Sequence, residues 1–114
     1  MKTTSSPLLV ITHLPDAATA ERLATLLVEN GLAACVNLLA PCRSVYRWQG
    51  RLETAAEIPL FIKTRADRYE ALQTAIRDLH PYDLPEIIAL PIIDGLPAYL
   101  DWVHRETEPP CLLC

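Results

Sequence analysis

Two long extended arms meet at Gln49-Gly50, and a two-stranded ribbon of that length is not stable alone in water. Ser44, Tyr46 and Trp48 alternate with Val45 and Arg47, which is the two-residue period of a strand. Gln49-Gly50 suits a tight hairpin turn, and residues 51–63 form the return arm. Pro59 has no backbone donor, so it predicts an edge or a bulge within that arm. The ribbon must lie on something, either the rest of this chain or a neighbouring subunit.

The remaining segments switch between strand and helix spacing. Residues 7–12 are an apolar run of strand length. Asp16, after Pro15, is a natural helix N-cap. Ala20, Leu23, Ala24, Leu27 and Val28 then mark one helical face, and Asn30-Gly31 stops it. Residues 33–39 and 43–48 are extended and separated by Pro41. Thr64-Arg65-Ala66-Asp67 predicts a second helix opened in capping-box style. Tyr69, Leu72, Ile76 and Leu79 carry its apolar stripe, and His80-Pro81 ends it. Residues 85–91 read as a further strand. A short third helix has Pro97 near its start and Leu96, Tyr99, Leu100 and Val103 on one face. This order, βαββαβ plus a C-terminal helix, predicts an α+β, ferredoxin-like fold: an antiparallel sheet with two helices on one face. No repeat or linker interrupts it, so residues 1–114 read as one domain, with loose tails at 1–6 and 108–114.

Of the 114 residues, 51% are hydrophobic, which is enough for one core. A chain this short buries only about two-thirds of its unfolded surface, so burial between subunits would help. The net charge of −4 argues against a nucleic-acid partner, and Arg43, Arg47 and Arg51 are interrupted by Trp48 and neutral residues. The first residues, Met1 to Pro7, hold one lysine and then polar residues, unlike a secretory signal. No apolar stretch approaches the roughly 20 residues that span a bilayer. The expectation is a cytoplasmic protein with no membrane partner.

Four cysteines in a reducing compartment are by default free thiols. Cys35 lies in an apolar run, where it reads as a small buried hydrophobe or as a strand thiol for a soft metal. Cys111 and Cys114 have C-x-x-C spacing, which suits a soft-metal chelate or a redox pair; Pro109-Pro110 sets them off as a free tail in the other reading. His80, at a helix end, offers an imidazole to copper or zinc, or caps the helix. Trp48, Glu57, Lys63, Tyr82 and Glu86 could hold a small polar or anionic ligand in a cleft, or form an intersubunit salt bridge with packed rings. Trp102 reads as an interface or core aromatic. Nucleophile elbow, P-loop and H-E-x-x-H patterns are absent, and three glycines leave no Gly-rich nucleotide loop. The expectation is a binding protein without an organic cofactor rather than an enzyme.

Five segments carry a resemblance. They are Ala33-Ala34-Cys35-Val36-Asn37, Ser44-Val45-Tyr46-Arg47-Trp48-Gln49-Gly50, residues 57–64, His80-Pro81-Tyr82-Asp83-Leu84-Pro85-Glu86-Ile87, and Tyr99-Leu100-Asp101-Trp102. In this order, over residues 8–106, they closely resemble the CutA divalent-cation tolerance family. The resemblance implies a ferredoxin-like homotrimer, similar in architecture to PII signalling proteins, with strands that pair across subunits. It also implies tolerance to copper and other divalent cations, with no firmly attached enzymatic activity. Members with an assigned copper site carry a Cys late in the first strand and a His-His pair before Pro-Tyr. The corresponding positions here are Thr12, Leu79 and His80, so two of the three ligands are replaced. His13 adjoins Thr12, but strand alternation points it to the other face. Two functions follow: a trimeric copper and divalent-metal tolerance protein, or a PII-like trimeric sensor or scaffold that takes a small molecule or protein partner in its intersubunit clefts.

Overall fold

The structure, a computed structural model, describes residues 5–110, so Cys111 and Cys114 lie outside the described residues. Alternation in strand β1 (Pro7–Leu14) sets up the architecture. Val10, Thr12 and Leu14 are fully buried on one face, whereas Leu9, Ile11 and His13 on the other are half-buried. Strand β4 (Arg51–Arg65) runs antiparallel beside it and buries Leu60, Ile62 and Thr64 in the same layer. Helices α1 (Ala17–Glu29) and α2 (Tyr69–Leu79) cover that face with Ala20, Leu23 and Leu27 from one and Leu72 and Ile76 from the other.

Strands β2 (Cys35–Leu38) and β5 (Ile87–Pro91) complete the sheet in the order β2-β4-β1-β5, every neighbour antiparallel. β1-α1-β2 straddles β4, and β4-α2-β5 straddles β1. These are the two interlocked split βαβ units of a ferredoxin-like fold. Strand β3 (Cys42–Trp48) pairs only with the outer half of β4, from Cys42 opposite Glu57 to Trp48 opposite Arg51. That ribbon stretches the chain to 52 Å, against 29 and 24 Å in the other directions. Helix α3 (Pro97–Glu106) begins on Pro97 and buries Val103. No helix among the described residues is long and apolar enough to cross a membrane.

Local chemistry explains the element ends. Asp16 is extended, and its Oδ1 accepts the Thr19 N–H at 2.8 Å. The hydrogen bonds from Thr19 hold the Asp16 carboxyl below its ordinary range. Gly31 follows α1 at φ +68°, the left-handed conformation that ends a helix.

Several expectations need correction. Thr64 caps nothing: its place in the strand alternation aims it into the core, where its hydroxyl donates to the Leu32 carbonyl at 2.7 Å. The chain instead enters α2 through a 3-10 turn, Ala66–Arg68, with Arg65 bonded to Asp67. Pro59 is not in an edge strand, and β1 and β4 stay in register from Pro7↔Arg65 to Leu14↔Ile58. On the other side of β4 the register slips by one residue: Leu38 opposes Leu60 and Cys42 opposes Glu57, so residues 39–41 bulge opposite 58 and 59. The Pro59 carbonyl accepts the Leu39 N–H at 2.9 Å, and a strand residue turns N and C=O to the same side. The missing donor therefore faces the gap where β4 changes partner from β2 to β3. Val28, Leu96 and Tyr99 are 44%, 71% and 38% exposed, so the expected apolar faces of α1 and α3 are narrower than their spacing suggests. Cys35 is half-buried rather than in the core, because β2 starts there and its register with Lys63 puts it on the face away from α1 and α2.

Candidate functional site

α2 ends at His80, whose extended backbone turns the chain into Pro81. The His80 ring is buried. Its Nδ1 accepts the Tyr82 N–H at 3.2 Å, so the proton sits on Nε2, which donates to the His13 carbonyl at 2.6 Å. The ring thus ties the loop after α2 to the end of β1, and it faces a strand carbonyl rather than the last carbonyls of its own helix. Metal ligation by His80 would require breaking one of these two bonds.

That tie presents Tyr82 to the base of the ribbon. The Tyr82 ring leans on His80 with centroids 4.8 Å apart, and its hydroxyl donates to Glu57 Oε2 at 3.0 Å. Burial, followed by the hydrogen bond and negative charge of Glu57, pushes the Tyr82 phenol up to about 12. Tyr82 is therefore a neutral donor throughout the physiological range. Glu57 itself is only 8% exposed. Ribbon register places it on the same face as Tyr46 and Trp48. These aromatics, Tyr82, Glu86 and His13 help line an open cleft of about 820 Å³. His13 Nδ1 lies 3.3 Å from Glu86 Oε1, but outside hydrogen-bond geometry.

The fold therefore brings Glu57, Tyr82 and Glu86 into one cleft, with Trp48 in the same lining but further out along the ribbon, and leaves Lys63 and Trp102 outside it. Lys63 lies six residues beyond Glu57 along β4, about 20 Å at strand rise, and its ammonium bonds Asn37 Oδ1. Trp102 rests on Tyr99 with ring centroids 5.6 Å apart. The Tyr99 phenol is pushed up by burial and by neighbouring Cys35, so Trp102 and Cys35 share the other end of the sheet. Sequence reasoning left out Tyr46, although its two-residue spacing from Trp48 already put both rings on one ribbon face. It placed His13 opposite Thr12, which burial matches, but its approach to Glu86 has no local signal. Cys35 and Cys42 are free thiols. Among the described residues, no three His, Cys, Asp or Glu side chains gather in a group able to hold a metal ion.

Comparison with known proteins identifies the scaffold. The family described as CutA1 divalent ion tolerance protein matches residues 8–106. A divalent-cation tolerance protein CutA from Pectobacterium atrosepticum is 46% identical over 79% of this chain and 82% of its own length. Protein CutA of Mus musculus is 44% identical over 82% of this chain, which spans about half (53%) of that longer protein. The solved structure of the Thermus thermophilus divalent cation tolerance protein superposes with a TM-score of 0.87 at 40% identity, covering 89% of this chain and 98% of that one. CutA1 from Oryza sativa gives 0.90 at 39% identity, covering 96% and 100%. Matched along nearly all of its folded length in sequence and in backbone, the chain belongs to the CutA1 divalent ion tolerance family.

Proposed function

We propose that this chain acts as a homotrimer in tolerance to divalent metal ions, copper first among them. Family membership supports the metal-ion role. The observation that carries the trimer is the apolar surface one chain leaves bare. Val45 and Leu52 on the ribbon are 63% and 77% exposed, and Ile88 and Leu90 lie exposed on the sheet face that α1 and α2 do not cover. Neighbouring copies of the ribbon would cover such a surface. A tight transition-metal site takes three or four good ligands. One chain gathers no such set among its described residues, so the ion would draw ligands from more than one subunit, with His80 or Cys35 among them, or from Cys111 and Cys114. The reading carries with it a cytoplasmic binding protein without catalysis, in which Cys35 and Cys42 stay reduced.

Native mass spectrometry of the reduced protein during a copper titration tests this. The expected result is a three-chain species that takes up copper stoichiometrically and loses it on His80→Ala. Copper lost on truncation after residue 108 would move the site to the tail thiols. A monomer, or a trimer that takes no copper, would overturn the proposal. A second reading is favoured by the aromatic and carboxylate cleft: a PII-like trimeric sensor or scaffold that binds a small molecule or protein partner there.

A further inference from the structure

We propose that the cleft between the ribbon and the loop after α2 binds an organic cation: an amine or amidine-type group on an apolar body. The proposal rests on the small-molecule reading of this cleft and names the ligand class. Glu57 carries it. The residue is 8% exposed, one of its oxygens accepts the Tyr82 hydroxyl, and the other accepts no hydrogen bond among the described residues. No lysine or arginine among those residues forms an ion pair with it. The free oxygen opens onto the cleft, and a carboxylate this largely buried gains from a counter-charge that no lysine or arginine among the described residues supplies.

The surroundings select the same class. Tyr82 touches that carboxylate, and Tyr46 and Trp48 line the same cleft further out along the ribbon, where aromatic rings suit the apolar body of a cation. Among the charged groups of the lining, Glu57, Asp83 and Glu86 outnumber Arg47, and His13 is turned to Glu86. Ribbon alternation puts Arg47 on the face opposite Tyr46 and Trp48, so its guanidinium does not neutralise Glu57 from within the aromatic face. An anion would meet net negative charge there. A divalent metal would find no ligand set, because no three His, Cys, Asp or Glu side chains among the described residues gather closely enough to hold one. The cleft volume of about 820 Å³ leaves room for a body well beyond the charged group.

The test uses the full-length reduced protein and a charge series of one shape: benzylamine and benzamidine as cations, benzyl alcohol as the neutral probe and benzoate as the anion. Binding is followed by calorimetry and by tryptophan fluorescence, with native mass spectra recording assembly. The expected result is that both cations bind, that the neutral and anionic probes bind roughly tenfold or more weaker, and that Glu57→Gln weakens the cations by a similar factor. Trp48→Leu should remove the fluorescence response, because Trp102 lies at the other end of the sheet. Should Glu57→Gln fail to fold, the charge series on the unaltered protein still decides. Benzoate preferred over the cations would overturn the ligand class and leave the small-molecule reading of the cleft standing. Cations that bind Glu57→Gln and Trp48→Leu undiminished would overturn the site. No binding by any probe would overturn the inference and remove the support for that reading as well.

Discussion

Thr12 and Thr64 are both fully buried on the helix-facing side of the sheet, yet their hydroxyls have opposite fates. Thr64 donates to the Leu32 carbonyl at 2.7 Å, whereas Thr12 Oγ1 is buried without a partner. Removing one partner of a buried hydrogen bond strands the other, while removing an unpartnered hydroxyl relieves its desolvation. Thr64→Val is therefore expected to lower stability by about 1–3 kcal/mol, and Thr12→Val to raise it by about 1 kcal/mol. Urea unfolding at matched protein concentration measures both, and equal effects of one sign would contradict the assignment. Tyr82 gives a pH prediction at the same scale. Its folded phenol holds its proton up to about 12, against an ordinary 10, so the folded state binds more protons between those values. Stability from this group is fully present below pH 10 and is lost as pH rises through about 12. Phenolate absorbance should show one late-titrating tyrosine, and Glu57→Gln should bring it part of the way down, since burial remains. Alternation separated the face of Thr12 from that of His13 in the sequence, whereas Thr64 read locally as a helix cap. The hydroxyl partners were not legible, because Leu32 stands 32 residues from Thr64.

At the scale of elements, the hairpin was the most readable feature. Gln49 and Gly50 both have positive φ, 49° and 79°, as a two-residue turn requires to match strand twist. An added Cβ at Gly50 would meet nothing within 4 Å, so Gly50→Ala costs only the left-handed backbone strain, about 1 kcal/mol. The fall should be read as a lower unfolding midpoint with unchanged denaturant slope, and a changed slope would instead indicate that the ribbon had come apart. The start of α2 was misread for a physical reason. Thr-x-x-Asp is a local cue for a cap, but strand alternation had already committed Thr64 to the core. Pro59 was misread only as to the edge: it sits in a central strand, facing the one-residue bulge where β2 gives way to β3.

For the whole molecule, the two faces of the ribbon carry different work. Register puts Val45 and Leu52 on one face, and Tyr46, Trp48 and Glu57 on the other. If the first face is what neighbouring copies bury, Val45→Glu combined with Leu52→Glu should shift sedimentation from three chains toward one, because each charge would have to be desolvated at the contact. An unchanged three-chain mass would mean that assembly uses another surface. The spacing of apolar residues determined the helices, the strands and their inward sides, since periods of 3.6 and two are local properties of the backbone. The same spacing left open which polar groups would meet. Tyr82 reaches Glu57 across 25 residues of sequence because His80 is pinned to the His13 carbonyl. Lys63, on the same strand as Glu57, ends up about 20 Å away because a strand spreads its residues along its length. Only the packing of the loop after α2 against the end of β1 decided that the cleft would hold a buried carboxylate and three aromatic rings, without that lysine.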